Sequence, residues 1–231
     1  MLLEDFLYQK NDIYINLEND YDPKITPVIS NIVEKTNSWV KTTISKEKTE
    51  DKIFMEIIFK QKNTFSILKK YLKSNSKYFL CSFNYEYLCE LKNELENSGE
   101  ENVLLIAGDY TKIPLKNNVV DYIIDLMGSN YYYSLKRQSL ADFFSNKIKK
   151  DGLLFTFFLH YEKAGKFLKS YSVNERELYI YENILERLKN NNFEKIEAQK
   201  LEELSYWGKY IKGVSEGEVI TLSTLLMKKK V

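Results

Sequence analysis

Apolar positions in this chain fall into short, dense runs separated by stretches in which they recur at helical spacing. Ile53–Phe59 (IFMEIIF), Tyr78–Phe83 (YFLCSF), Val103–Ala107 (VLLIA), Val119–Met127 and Leu153–Leu159 (LLFTFFL) are runs of strand length, apolar almost throughout. Between them, Thr64–Lys73 places Phe65, Leu68 and Leu72 on one face, and Tyr85–Asn97 and the region around Leu135–Lys149 carry a helical pattern. Asn84 stands where a helix cap is needed and Ser98-Gly99 where that helix should end. Asp151-Gly152 reads as a turn before the fifth strand. Glu175–Asn190 then sets Leu178, Ile184, Leu185 and Leu188 on one face, and Phe193–Leu204 and Val219–Met227 follow with no helix between them.

Strands that are apolar on both faces and alternate with helices imply a parallel sheet covered on both sides. Two successive strands at the end imply an antiparallel hairpin. The expected fold class is therefore α/β, a seven-stranded mostly parallel sheet with helices on both faces and a C-terminal antiparallel strand pair. Ahead of it, Phe6–Leu17 (FLYQKNDIYINL) alternates as a short hairpin turning at Lys10-Asn11-Asp12. Asp22-Pro23 and Thr26-Pro27 then lead into a helix over Val28–Ser45. Residues 1–45 read as an N-terminal extension, hairpin plus helix, packed on a main domain of residues 46–231.

Composition narrows the picture by exclusion. Lys+Arg 34 against Asp+Glu 33 gives no global pull toward nucleic acid or an anionic membrane. Cys81 and Cys89 have no histidine near them, which fits neither zinc-ligand spacing nor a disulfide framework, so no metal is expected. No run approaches the roughly 18–20 apolar residues of a membrane span. The opening MLLEDFLYQKND carries early acids and does not read as a signal segment. The expectation is a cytoplasmic protein with no membrane partner.

Glycine is the most telling absence. The first one in the chain is Gly99, although average usage would place about seven before it. A glycine-rich loop after the first strand, where backbone N–H groups close on an anionic ligand, is excluded in any register.

Ile106–Met127 (IAGDYTKIPLKNNVVDYIIDLM) runs from a strand through Gly108-Asp109-Tyr110 and Ile113-Pro114-Leu115 to a second strand opening at Val120-Asp121. With the turn Lys149-Lys150-Asp151-Gly152-Leu153, this order resembles class I S-adenosylmethionine (AdoMet) methyltransferases. The resemblance covers Ile53 to Met227 and is most specific over Val103–Phe157. It implies that Asp109 hydrogen-bonds the adenine amino group and that the backbone N–H of Tyr110 reaches a ring nitrogen. Upstream, Glu56-Ile57-Ile58-Phe59-Lys60-Gln61-Lys62 aligns with the family's E/D-x-G-x-G-x-G. Glu56 keeps the acid, but Ile58, Lys60 and Lys62 stand in place of glycines. Ser82, or Asn84 if the register slips, takes the place of the acid that holds both ribose hydroxyls. One of three cofactor-binding elements is kept. Ile13–Leu17 followed by Tyr21-Asp22 is similar to the lead-in of some bacterial methyltransferases.

Each candidate residue has two readings. Glu56 is either the remnant acid of a cleft or the ion-pair partner of Lys60 or Lys62, which would otherwise offer charge to an anion. Asp109 binds adenine or caps a turn. His160, the single histidine, is a general base or a packed side chain. Tyr131, Tyr132 and Tyr133 form a wall for a substrate or partner or pack beneath a helix. Tyr206-Trp207, near Gly208, Gly213 and Gly217, reads as part of an interface loop. Two functions follow from the resemblance and its gaps. The first is a non-catalytic binding, regulatory or scaffold subunit, with S-adenosylmethionine binding in doubt and a protein partner or second copy as its ligand. The second is a divergent methyltransferase acting on a small molecule or RNA.

Overall fold

The structure, a computed structural model, describes residues 26–58, 64–72, 75–82, 85–100, 102–136, 138–161, 178–204 and 220–230. The expected N-terminal hairpin, Lys60, Lys62, Asn84 and Tyr206-Trp207 lie outside the described residues, as does the side chain of Tyr131.

Seven strands form one sheet: β1 (Ile53–Ile58), β2 (Lys77–Ser82), β3 (Val103–Ala107), β4 (Val120–Leu126), β5 (Ile148–His160), β6 (Phe193–Leu204) and β7 (Ile220–Lys229). Their order is β3-β2-β1-β4-β5-β7-β6. The first five are parallel, while β7 runs antiparallel to both β5 and β6. This is the expected architecture, and its cause is visible in β1. All six of its residues are buried, Phe54 and Ile58 in one layer and Ile53, Met55 and Ile57 in the other. Successive side chains of a strand point to opposite faces, so an unbroken apolar run needs cover on both.

Helices supply that cover. On one face lie α1 (Thr26–Ile44), the short α2 (Phe65–Leu68), which continues as a 3-10 turn over Lys69–Tyr71, and α3 (Tyr85–Ser98). They contribute Val40, Ile44, Phe65, Leu68, Leu88, Leu91 and Leu95. Helices α5 (Ala141–Lys147) and α6 (Tyr181–Asn190) cover the other face with Phe143, Phe144, Ile184 and Leu188. Between β4 and α5 stands α4 (Gly128–Lys136), which sends Tyr132 into one layer and Tyr133 into the other. Helix α1 falls within the expected N-terminal extension, and Val40 and Ile44 are fully buried in the layer that holds Phe54.

Two elements differ from the sequence reading in ways that matter for the site. The helix expected around 135–149 is the shorter α5, whose first residue Ala141 gives its N–H to Ser139 Oγ at 3.1 Å, and α4 precedes it as a separate helix that the sequence reading did not place. The turn expected at Asp151-Gly152 is a bulge inside β5. Val120 pairs with Ile148 but Tyr122 with Leu153, and Asp151 takes φ 63° within the extra length. A Cβ on Gly152 would stand 2.6 Å from Ile148 Cγ1 and 2.9 Å from the Asp121 carbonyl, so the strand passes here only as glycine.

Candidate functional site

Strand order reverses between β1 and β4. In open α/β sheets that switch point leaves a crevice beyond the carboxyl ends of the strands, where ligands bind. Most of the residues singled out above come to this edge. Glu56 lies near the end of β1, Ser82 ends β2, Asp109 and Tyr110 follow β3, and His160 ends β5.

Glu56 points into the α1–α2 layer and is completely buried. One carboxylate oxygen accepts the Thr64 N–H at 2.7 Å and the other accepts the Tyr78 hydroxyl at 2.8 Å. Burial pushes this carboxyl up to about 7, against those hydrogen bonds, which favour the ionised form. Both oxygens are thus engaged by the protein itself.

Asp109 caps the 3-10 turn Tyr110–Lys112. Its Oδ1 accepts from the Thr111 N–H at 3.0 Å and the Thr111 hydroxyl at 2.8 Å. Its Oδ2 lies 3.7 Å from Lys136 Nζ on α4. Gly108 before it has φ 139°, a conformation that favours glycine, and an added Cβ there would meet no atom within 4 Å. The Gly108 N–H bonds the Ser82 carbonyl at 3.1 Å, tying the ends of β2 and β3. Ser82 is buried and brings no carboxylate to this edge.

Tyr110 is buried without exposure, and its hydroxyl donates to the Ile58 carbonyl at 3.2 Å. Its ring therefore reaches from the loop after β3 to the end of β1, with the ring of Tyr132 6.1 Å away. Met127 forms an isolated bridge to the same Ile58 and takes φ 61°. Gly128, the first residue of α4, sits on Ile57 so closely that a Cβ would fall 2.2 Å from Ile57 Cγ2. Tyr110, Met127 and Gly128 converge on the last two residues of β1.

Tyr132 and Tyr133 turn inward. Tyr132 is 1% and Tyr133 6% exposed; Tyr132 donates to Gln138 Oε1 at 3.4 Å, and Tyr133 meets Tyr179 edge-on at 6.2 Å. His160 is equally enclosed. Its Nε2 lies 2.9 Å from Ser223 Oγ on β7, and its ring stands 5.0 Å from that of Tyr181.

Asp125 is the residue the sequence reading missed. It is fully buried on β4, where its Oδ1 accepts the Ser129 N–H at 2.9 Å and its Oδ2 accepts the Thr156 hydroxyl at 3.0 Å and the Ser129 hydroxyl. Burial pushes its carboxyl up to about 6. Beside it, Asn130 pairs with both backbone groups of Leu159, at 2.8 and 2.7 Å. The available signal was an acid inside the apolar run 122–127, because a buried acid demands donors. A cavity of about 10 Å³ adjoins this network, lined in part by Ser129, Tyr133, Thr156 and Arg187, room for about one water. At the opposite edge of the sheet, a hollow of about 350 Å³ is lined by Ile44, Glu47, Lys48, Glu50, Lys70 and Tyr71 among others. Among the described residues no three His, Cys, Asp or Glu side chains converge as metal ligands, and no helix is long and apolar enough to cross a membrane.

Solved structures share this architecture. The chain is similar to geranyl diphosphate C-methyltransferase from Streptomyces coelicolor A3(2), solved with Mg2+, geranyl diphosphate and S-adenosyl-L-homocysteine. That match has TM-score 0.65 and 9% identity over 96% of this chain and 89% of that one. The YcgJ protein of Bacillus subtilis matches at TM-score 0.62 and 11% identity, over 86% of this chain and 99% of that one. The fold is that of class I methyltransferases. A third similar structure bears another kind of name, the [4+2]-cyclase SpnF, at TM-score 0.56 and 10% identity over 90% and 93% of the two chains. No family model and no curated protein matches the sequence. The methyltransferase fold is thus in place, and the reaction, if any, has to be argued from the site.

Proposed function

We propose that this chain is a methyltransferase-fold protein with a degenerate AdoMet site, serving as a non-catalytic binding, regulatory or scaffold subunit. The observation that carries the reading is the convergence of Tyr110, Met127 and Gly128 on Ile57 and Ile58. In the family that the sequence resembles, the end of β1 opens into a glycine loop that lets the cofactor approach the backbone. Here Tyr110 spans that edge with its hydroxyl on the Ile58 carbonyl, and isoleucine replaces the first of those glycines. The two acids fit the same picture. Glu56 spends both oxygens on Thr64 and Tyr78, and Asp109 caps its own turn and meets Lys136. With Ser82 at the end of β2, no carboxylate there grips the ribose, a charged contact typically worth about 1.5–3 kcal/mol. The ligand of such a subunit is a protein partner or a second copy of the chain.

A second reading, an active AdoMet-dependent methyltransferase on a small molecule or RNA, draws on Asp109 and Gly108. The space beside Gly108 is open, and the Asp109 side chain is 19% exposed. Isothermal titration with AdoMet and with S-adenosylhomocysteine separates the two. A Kd of ~100 μM would be plain at a few millimolar ligand. We expect no heat of binding and no thermal stabilisation. Saturable binding that disappears in Asp109→Ala would overturn the proposal in favour of the enzyme.

A further inference from the structure

We propose that Glu56 is a pH-operated latch that fastens α1 and α2 to the sheet and loosens as its carboxyl ionises. The proposal does not depend on whether AdoMet binds, although it concerns the same Thr64 and Tyr78 hydrogen bonds to Glu56. Its basis is a chain of buried hydrogen bonds through four elements. Asn37 on α1 accepts the Thr64 hydroxyl at 2.9 Å, and Thr64 at the start of α2 gives its N–H to Glu56 on β1 at 2.7 Å. Glu56 in turn accepts the Tyr78 hydroxyl on β2 at 2.8 Å. None of the four residues is more than 2% exposed.

Every described partner of Glu56 is neutral, and no cation faces it from any described element. Strand β2 presents Tyr78 and Leu80 on this face, and burial and the charge of Glu56 push the Tyr78 hydroxyl upward; Cys81, pushed upward by the same causes, lies in the opposite layer. Strand β4 presents Ile124, its neighbour in register, and α1 and α2 present Asn37, Thr64 and Phe65. An ionised carboxyl in such a layer bears its desolvation cost with hydrogen bonds alone. Burial therefore pushes the group up from 4.5 to about 7.

The sign follows from that shift. A carboxyl whose folded value lies above its unfolded value stabilises fully below the unfolded one, and the contribution is lost as pH rises to the folded one. The latch is tightest below about pH 4.5, weakens up to about pH 7 and is level beyond. At its steepest, the opening equilibrium changes up to about tenfold per pH unit.

Amide hydrogen exchange on the full chain between pH 5 and 8, corrected for intrinsic rates, tests this. Thr64 reports the latch bond directly, Leu68 the first turn of α2, and Ile123 in β4 serves as reference. Protection at Thr64 and Leu68 should fall up to about tenfold per pH unit toward pH 7 and then level, beyond any change at Ile123. Glu56→Gln should remove that slope. Should Glu56→Gln not fold, Tyr78→Phe removes a donor that favours the ionised form and should move the midpoint upward. A flat profile in the wild type, the same slope in Glu56→Gln, an equal fall at Ile123, or an unmoved midpoint in Tyr78→Phe would each overturn the latch.

Discussion

Gly99 and Gly128 are glycines for opposite physical reasons, and the difference bears on whether the crevice is closed. Gly99 has φ 70° and open space around its Cα, so it ends α3 by conformation alone. Alanine there should cost about 1 kcal/mol. Gly128 has no positive φ, but a side chain would collide with Ile57 Cγ2. Gly128→Ala should cost about 1–3 kcal/mol, the range for overpacking a tight core. In urea titrations, Ile57→Ala combined with Gly128→Ala should lose less than the sum of the two single losses, because removing Cγ2 relieves the clash. Simple additivity would mean that the two residues do not press on one another. Ser98-Gly99 was legible in the sequence because a cap is local. The need at Gly128 was not, since it is imposed by a strand far away in the chain. Tyr110 shows the same limit, for the motif around Asp109 assigned it only a backbone role and gave no hint that its ring closes on Ile58.

At the scale of elements, α4 shows how a short helix is held in place. Its first turn is anchored by Asp125 through Ser129 and Thr156, and by Asn130 through the backbone of Leu159. This anchoring, with the Ser139 Oγ bond to the Ala141 N–H, sets α4 apart from α5. Periodicity sees the apolar residues of both and not the polar contacts that divide them. Asp125→Ala removes a cap and strands buried donors, and should cost about 2–4 kcal/mol. Asp125→Asn, which keeps an acceptor, should cost less. Asp125 also carries a pH signature. Burial pushes its folded value from 3.8 up to about 6, so the stability linked to its proton is full below about pH 4 and gone above about pH 6. Denaturant midpoints should therefore be higher at pH 5 than at pH 7, and Asp125→Asn should narrow the gap. An unchanged gap would place the titration elsewhere.

Across the whole molecule, the sheet was readable because each central strand is apolar on both faces, which only a covered parallel sheet satisfies, and because no helix separates β6 from β7. The proposal about the site rests on the sequence chiefly through an absence. Without glycine before Gly99 no glycine-rich loop can follow β1, whatever the arrangement of the remaining residues. What packs against that edge was hidden, since it depends on contacts among the ends of β1, β3 and β4. The fold and the state of its crevice are separate facts, and similarity at 9–11% identity speaks only to the first. The measurement that bears most directly on the second is a methyl-resolved NMR titration following Ile57, Ile58 and Met127 as AdoMet is raised to about 2 mM, well above a Kd of ~100 μM. The account expects all three methyl signals to stay where they are, because Tyr110 and Gly128 already occupy their surroundings. Saturable shifts at these residues would show that the crevice opens to the cofactor and would contradict it.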